Sequence, residues 1–197
     1  MKTVLIVLGV ILLILVIGFA SLFGVYNGFV AAEQSVSEKW AQVQNVYQRR
    51  ADLIPNLVET VKGFAAQEKT VLEEVTRARA SAGSIKATPE LLNDPANFKR
   101  FQDAQNQLGG ALSRLLVTVE RYPELKSNQN FLALQSQLEG TENRITVERM
   151  RFNEAVRDYN TKIKLMPGAL VAGMMGFKEK AFFEAAPGSE QAPKVKF

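Results

Sequence analysis

Residues 40–82 read WAQVQNVYQRRADLIPNLVETVKGFAAQEKTVLEEVTRARASA, and stepping through them alternately by three and four positions decides the architecture. The steps land on Trp40, Val43, Tyr47, Arg50, Ile54, Leu57, Val61, Phe64, Glu68, Val71, Val75, Ala78 and Ala82; eleven of these thirteen are apolar, and only Arg50 and Glu68 interrupt. That spacing keeps a narrow stripe on one face of an α-helix, as in a coiled coil or bundle. Proline removes a backbone donor and clashes with the turn before it, yet the register passes through Pro55 unbroken. The stripe therefore predicts one long helix, kinked near Asp52 to Pro55 and ending at Ala82-Gly83-Ser84, rather than a hairpin at the proline. Upstream, Phe29 and Val36 share the register, so the helix is expected to run directly out of the apolar leader before it.

In that leader, thirty consecutive positions between Lys2 and Glu33 carry no charged side chain, and Val4 to Val25 is almost wholly Val, Ile, Leu, Phe, Ala and Gly. At 1.5 Å per residue, Val4 to Val25 reaches about 33 Å, enough to cross the hydrocarbon core of a bilayer. The rival reading is a cleaved secretory leader, with Lys2 as its basic start and Gly18-Phe19-Ala20 as its cleavage site. Apolar character continues past that point through Leu22, Phe23, Val25 and Phe29, which favours an anchor that stays attached. The expected organisation is an anchor over 1–27, an all-α antiparallel bundle of long helices over 28–184, and a disordered tail over 185–197.

Two more helices follow from caps and stripes. Thr88-Pro89-Glu90 and Asp94-Pro95 each set a capping oxygen before a proline at the first helical position, the first opening a single turn and the second a full helix. The full helix carries Phe98, Phe101, Gln105, Leu108, Leu112, Leu115, Val119 and Tyr122, and stops at Pro123. Gly109-Gly110 weakens its middle by about 1 kcal/mol per glycine relative to alanine, or lets a neighbouring helix approach closely. The last long helix starts near Ser127 or Asn128, carries Phe131, Leu134, Leu138, Ile145, Phe152, Val156, Tyr159, Ile163 and Met166, and ends at Pro167. The short link over 122–128 predicts antiparallel neighbours.

Composition narrows the chemistry. The chain has no cysteine, so neither a disulfide framework nor a thiolate metal site can form. It has no histidine, which removes the commonest general base and the commonest metal ligand. No catalytic, cofactor-binding or metal-ligating residue is assigned, and no cofactor is expected. The net charge of +4 is spread among interleaved acids, a poor footprint for nucleic acid, which needs bases gathered on one face.

With the helices placed, the run from Gln48-Arg49-Arg50-Ala51-Asp52-Leu53-Ile54-Pro55-Asn56-Leu57 to Lys62-Gly63 resembles the signature of the LemA family of bacterial membrane-anchored helical proteins. Glu120-Arg121-Tyr122-Pro123-Glu124-Leu125, Asn130-Phe131, the stretch Leu138 to Ile145, Arg151 with Asn153, and Tyr159-Asn160 extend the likeness over about Val25 to Phe183. One departure is Gln67 before Glu68, where many relatives have histidine. The resemblance implies a single-pass protein with an antiparallel helical domain and no established enzymatic activity. It also implies links to envelope stress beside a membrane zinc metalloprotease, and to building magnetosome membranes in one branch. Fold alone transfers no function.

The polar groups on the stripes invite two readings. Arg50 and Glu68 on the first stripe, and Glu142, Arg144, Arg149 and Arg151 on the last helix, form either ion pairs that fix helix register or a binding or acid–base site. The register reading is preferred, with Asp52 and Pro55 at the kink and Asn56 bonding backbone groups that Pro55 frees. Trp40 lies too far along a continuous helix for the membrane interface and is expected in the core.

The stretch from Pro167 to Phe183 is less ordinary. Leu170, Met174, Met175 and Phe177 lie in an apolar, glycine-rich run that either caps the end of the bundle or offers adaptable contacts to partners or lipid. With the first helix running about 80 Å outward, the second returning about 40 Å and the third rising about 58 Å, Met174 and Met175 end far from the membrane. A hairpin at Pro55 would instead bring them down to the lipid.

Lys2 and the terminal amine before the leader, against Glu33, Glu38 and Lys39 after it, favour a body outside the cytoplasm, although relatives have also been described the other way round. The functional expectation is a non-catalytic scaffold or adaptor of the cell envelope, single-pass in the plasma (inner) membrane. Its expected partners are the bilayer, envelope proteins and copies of itself. The alternative is a membrane-shaping or lipid-contacting protein acting through residues 167–183.

Overall fold

The computed structural model describes residues 2–185. Six α-helices and one short 3-10 turn follow in order: α1 (Lys2–Phe64), α2 (Lys69–Ser84), the turn Pro89–Asn93, α3 (Pro95–Val119), α4 (Pro123–Lys126), α5 (Gln129–Lys164) and α6 (Gly168–Met175). No strand occurs among the described residues, and the protein is an all-α antiparallel bundle. The tail expected over 185–197 lies, from residue 186 on, outside the described residues.

The 63 residues of α1 make one uninterrupted helix, about 95 Å long at the usual rise. Its N-terminal part is long and apolar enough to cross a membrane, and its most apolar stretch is not buried against the rest of the protein. Burial begins at Phe29 and recurs at Ala32, Val36, Trp40, Val43, Tyr47, Arg50, Ile54, Leu57 and Val61, the alternating steps of the sequence stripe except that Ala32 is buried in place of Glu33.

The first helix passes through Pro55, as the unbroken register predicts, but it does not reach Ala82. It stops at Phe64, and residues 65–68 reverse the chain so that α2 runs back along α1. Across the turn Ala65 and Leu72 are buried in place of the expected Phe64, Glu68 and Val71, Val75 and Ala82 are buried as expected, and Phe64 is exposed. The hairpin thus lies a few turns beyond the proline, leaving the helix unbroken at Pro55.

That reversal inverts the direction of every later element. α3 runs away from the apolar leader along α2, and α5 returns against α1, pairing Glu142 with Arg50, Arg149 with Tyr47 and Phe152 with Trp40. The closest backbone neighbours are α1 with α5 and α2 with α3. The short link between α3 and α5 therefore joins antiparallel helices that are not each other's nearest partners. Asp94 caps α3 by accepting from the Asn97 N–H at 3.0 Å, and Asn128 caps α5 by accepting from the Phe131 N–H at 3.1 Å.

The core divides lengthwise in two. The half nearer the leader gathers Trp40, Phe98, Phe101, Phe152 and Phe183 around one another. The far half is mainly aliphatic, with Ile54, Leu57, Val61, Leu108, Leu115 and Leu138, and Phe131 as its buried ring. Trp40 sits in the aromatic half with its indole N–H donating to the Ala87 carbonyl at 3.0 Å.

α6 ends at Gly176, whose φ of +78° lies in the left-handed region that favours glycine. Gly168 at its start admits no side chain: a Cβ there would stand 2.3 Å from the Lys162 carbonyl and 3.0 Å from the Phe29 ring. The glycine lets α5 and α6 close around Phe29, and so places α6 beside the apolar leader.

Candidate functional site

Four polar arrangements and one apolar cleft stand out against this core. The first is the seam at mid-bundle. Arg50 is 3% exposed, and its Nη1 donates to both oxygens of Glu142 at 3.0 and 3.2 Å. Its Nη2 donates to the backbone and side-chain oxygens of Gln105, and its charge lies 5.1 Å from the centre of the Tyr47 ring. Arg149 donates from Nε to the Tyr47 hydroxyl at 2.6 Å. Burial pushes the Tyr47 phenol above its ordinary value, against the opposing pull of Arg149.

The seam thus joins Arg50 with Glu142, but Glu68 stands elsewhere. Glu68 lies in the turn at the far tip, where it accepts from the Tyr122 hydroxyl at 2.7 Å and pairs with Arg121 at 3.4 Å. The bond to Glu68 raises the Tyr122 phenol. Gln67 donates to the same hydroxyl at 3.1 Å, so both side chains of the turn hold the end of α3. Arg144 is exposed, and Arg151 pairs with Glu148 within α5.

At the proline, Asp52 accepts from Gln48 at 2.7 Å on the exposed side of α1. Asn56 is exposed, and among the described residues its side chain makes no hydrogen bond. The expected bond from Asn56 to the freed backbone is therefore not made. The group Pro55 frees is the Ala51 carbonyl, four residues earlier, and Arg79 of α2 donates to it from Nε at 2.8 Å. An arginine 28 positions away in the chain supplies what a neighbour was expected to supply.

The fourth polar arrangement was not singled out from the sequence. After α6 the chain turns back up the bundle as an extended segment, and three side-chain amides hold it. Asn160 accepts from the Lys180 N–H and donates to its carbonyl, both at 2.9 Å. Asn153 does the same for Phe183, both at 2.9 Å, and Gln102 for Glu184, at 3.1 and 2.6 Å. Each amide presents one donor and one acceptor to one residue's backbone, as a neighbouring strand would. Lys180 is buried by the segment and pairs with Glu33 at 2.6 Å and Asn93 at 2.8 Å. The signal was the placement of Asn153 and Asn160 beside the stripe positions Phe152 and Tyr159.

The apolar cleft lies at the base. Phe19, Leu22, Phe23 and Tyr26 of α1 face Val171, Met174 and Met175 of α6 across a volume of about 440 Å³. Phe177 closes one end, edge-on to Tyr26 at 5.9 Å and to Phe29 at 5.2 Å. Met174 and Met175 therefore sit beside the leader; the expectation that they end far from it is overturned by the reversal at 65–68.

The chemistry available in these arrangements is mainly pairing and packing. Among the described residues, no group of three His, Cys, Asp or Glu side chains could hold a metal ion.

Comparison with known proteins agrees with this architecture. The family model of the LemA family matches residues 39–197. Magnetosome protein MamQ 2 and magnetosome protein MamQ 1 of Paramagnetospirillum magneticum (strain ATCC 700264 / AMB-1) are each 29% identical over 187 residues, covering 87% of this chain and 69% of the relative. Magnetosome protein MamQ of Magnetospirillum gryphiswaldense (strain DSM 6361 / JCM 21280 / NBRC 15271 / MSR-1) is 28% identical over 181 residues, covering 84% of this chain and 66% of the relative. With the signature residues lying on the helices described above, this chain belongs to the LemA family and is a membrane-associated helical protein.

Proposed function

We propose that the protein is a non-catalytic, membrane-tethered scaffold that holds envelope proteins or copies of itself at a set distance from a bilayer. The observation that carries this reading is the continuity of α1. The same helix forms the apolar leader and the bundle's central element, so the body stands on the membrane without a linker. From Phe29 to the tip at Phe64 it extends about 53 Å. Its charged groups support the reading too, because the buried arginine, Arg50, is committed to Glu142 and Gln105.

A surface for such partners lies at the far tip, where Val117 is 71% exposed and Leu132 47% exposed beside a shallow cleft between α3 and α5. A photo-crosslinking residue at position 117, activated in native membranes, tests it. Discrete protein adducts, lost on Leu132→Asp, are expected. Absence of any protein adduct at the tip, or turnover of a substrate by the pure protein, would refute the scaffold.

A further inference from the structure

We infer that α6 is a second membrane contact, lying in the bilayer interface, and that the cleft between α6 and α1 is a site for a phospholipid acyl chain. The inference rests on the leader crossing a bilayer and goes beyond the scaffold role. α6 reads GALVAGMM, eight residues without one polar side chain. Only Gly168, Val171 and Ala172 are buried, against Phe29 and the base of the bundle. Leu170, Met174 and Met175 remain 60%, 82% and 60% exposed, and Leu165 and Met166 just before the helix are 61% and 69% exposed. Water is a poor solvent for five such side chains in one short stretch, and apolar surroundings are favoured for each of them.

Position identifies what covers them. The leader is exposed from Leu5 to Phe23 over its whole circumference, so hydrocarbon is its solvent. A core about 30 Å thick takes about twenty residues, which brings its edge to the level of Phe23 and Tyr26. α6 stands at that level, and its cleft shares Phe19, Leu22, Phe23 and Tyr26 with the leader itself. The cleft is thus continuous with a surface already immersed in lipid tails. Aromatic rings at its upper end, Tyr26 and Phe177, suit the headgroup boundary.

The side chains match the occupant. Unbranched methionines adapt to a mobile chain better than a fixed packing partner would require. Lys162 precedes the apolar stretch and Lys178 follows it, both exposed, while Lys164 is paired with Glu179 at 2.8 Å; the stems of Lys162 and Lys178 can lie along apolar surface while the ammonium reaches anionic headgroups.

The experiment uses the full chain in phosphatidylcholine–phosphatidylglycerol vesicles whose acyl chains carry bromine at chosen depths. Met174→Trp places an indole on the exposed face of α6, where an 82% exposed side chain can change without disturbing the fold. Its emission should be strongly quenched by shallow bromines and little affected by aqueous iodide, while Trp40 in the core keeps a constant background. Quenching by iodide, or shielding from both quenchers by protein, would overturn the inference. Leu15→Trp is the control for the anchor: if deep bromines fail to quench it, the membrane-tethered reading itself falls, whereas failure at position 174 alone removes only the second contact. A diazirine-bearing acyl chain in the same vesicles should label the peptide over 170–177. Labelling confined to residues 5–17 would refute the acyl-chain site.

Discussion

The carbonyl of Ala51, left without its helical donor by Pro55, accepts a hydrogen bond from Arg79 at 2.8 Å. One arginine thereby repairs the first helix and ties α2 to it just above mid-bundle. Removing the donor should leave a half-buried carbonyl unpaired, so Arg79→Ala is expected to cost about 1–2 kcal/mol in denaturant unfolding. Pro55→Ala restores the missing N–H. The loss on Arg79→Ala should therefore shrink in the Pro55→Ala background; equal losses in both backgrounds would show that Arg79 acts elsewhere.

The Arg50–Glu142 pair is asymmetric, and its two members should not be equivalent. Arg50 is 3% exposed and Glu142 41% exposed at the side chain. Glu142→Ala leaves a buried cation short of one partner, at a cost of about 1–3 kcal/mol, because the lost carboxylate is partly in water and Gln105 remains. Arg50→Met removes the buried charge and leaves a carboxylate that reaches water, so it should cost less. A comparison of urea midpoints decides the order, and a larger loss for Arg50→Met would refute it.

Alkaline pH should find Tyr159. Its side chain is buried, its hydroxyl has no partner among the described residues, and burial with the nearby Glu33 charge pushes the phenol from 10.0 up to about 12. The folded state holds this proton more tightly than the unfolded chain. The stabilisation is thus complete below pH 10.0 and is lost as pH rises towards about 12. Tyr159→Phe removes an unbonded hydroxyl, so it should leave stability at neutral pH unchanged or slightly higher and soften the alkaline decline. Identical declines in a thermal melt series would count against this.

The three amide clamps should govern access to the last described segment. Lys180 is nearly buried while Lys178 is exposed. Trypsin is therefore expected to cut the native protein after Lys178 much faster than after Lys180. Asn160→Ala, which unpairs both backbone groups of Lys180, should bring the second cut up towards the first. Unchanged cleavage would mean that packing of Phe183 holds the segment without the clamp.

Much of the fold is legible because burial on a long helix is periodic. Trp40 to Val61 and Phe98 to Val119 occupy the core positions that their spacing predicts. The reversal at 65–68 is not legible in the same way. Ala65-Ala66-Gln67-Glu68 contains neither glycine nor proline, and the apolar steps resume beyond it near enough in register to read as one helix. Gly63, just before the helix end, was the available cue. A missed reversal carries a large penalty, since it turns every later helix upside down; the predicted height of Met174 failed for that reason alone. Arg50 was visible as a charge on the first stripe and Glu142 as one of several charges on the last helix, but nothing in the spacing paired the two. Arg79 and the clamps were not visible, because each acts on backbone groups of residues far along the chain.

An unbroken α1 also transmits torsion. A helix turns about 100° per residue, so the flank that the bundle presents sideways is set by the face of the leader that meets its surroundings. Lengthening the junction by one residue would swing the body by roughly that angle while raising it only about 1.5 Å. A shaft of this kind gives the body a fixed compass heading.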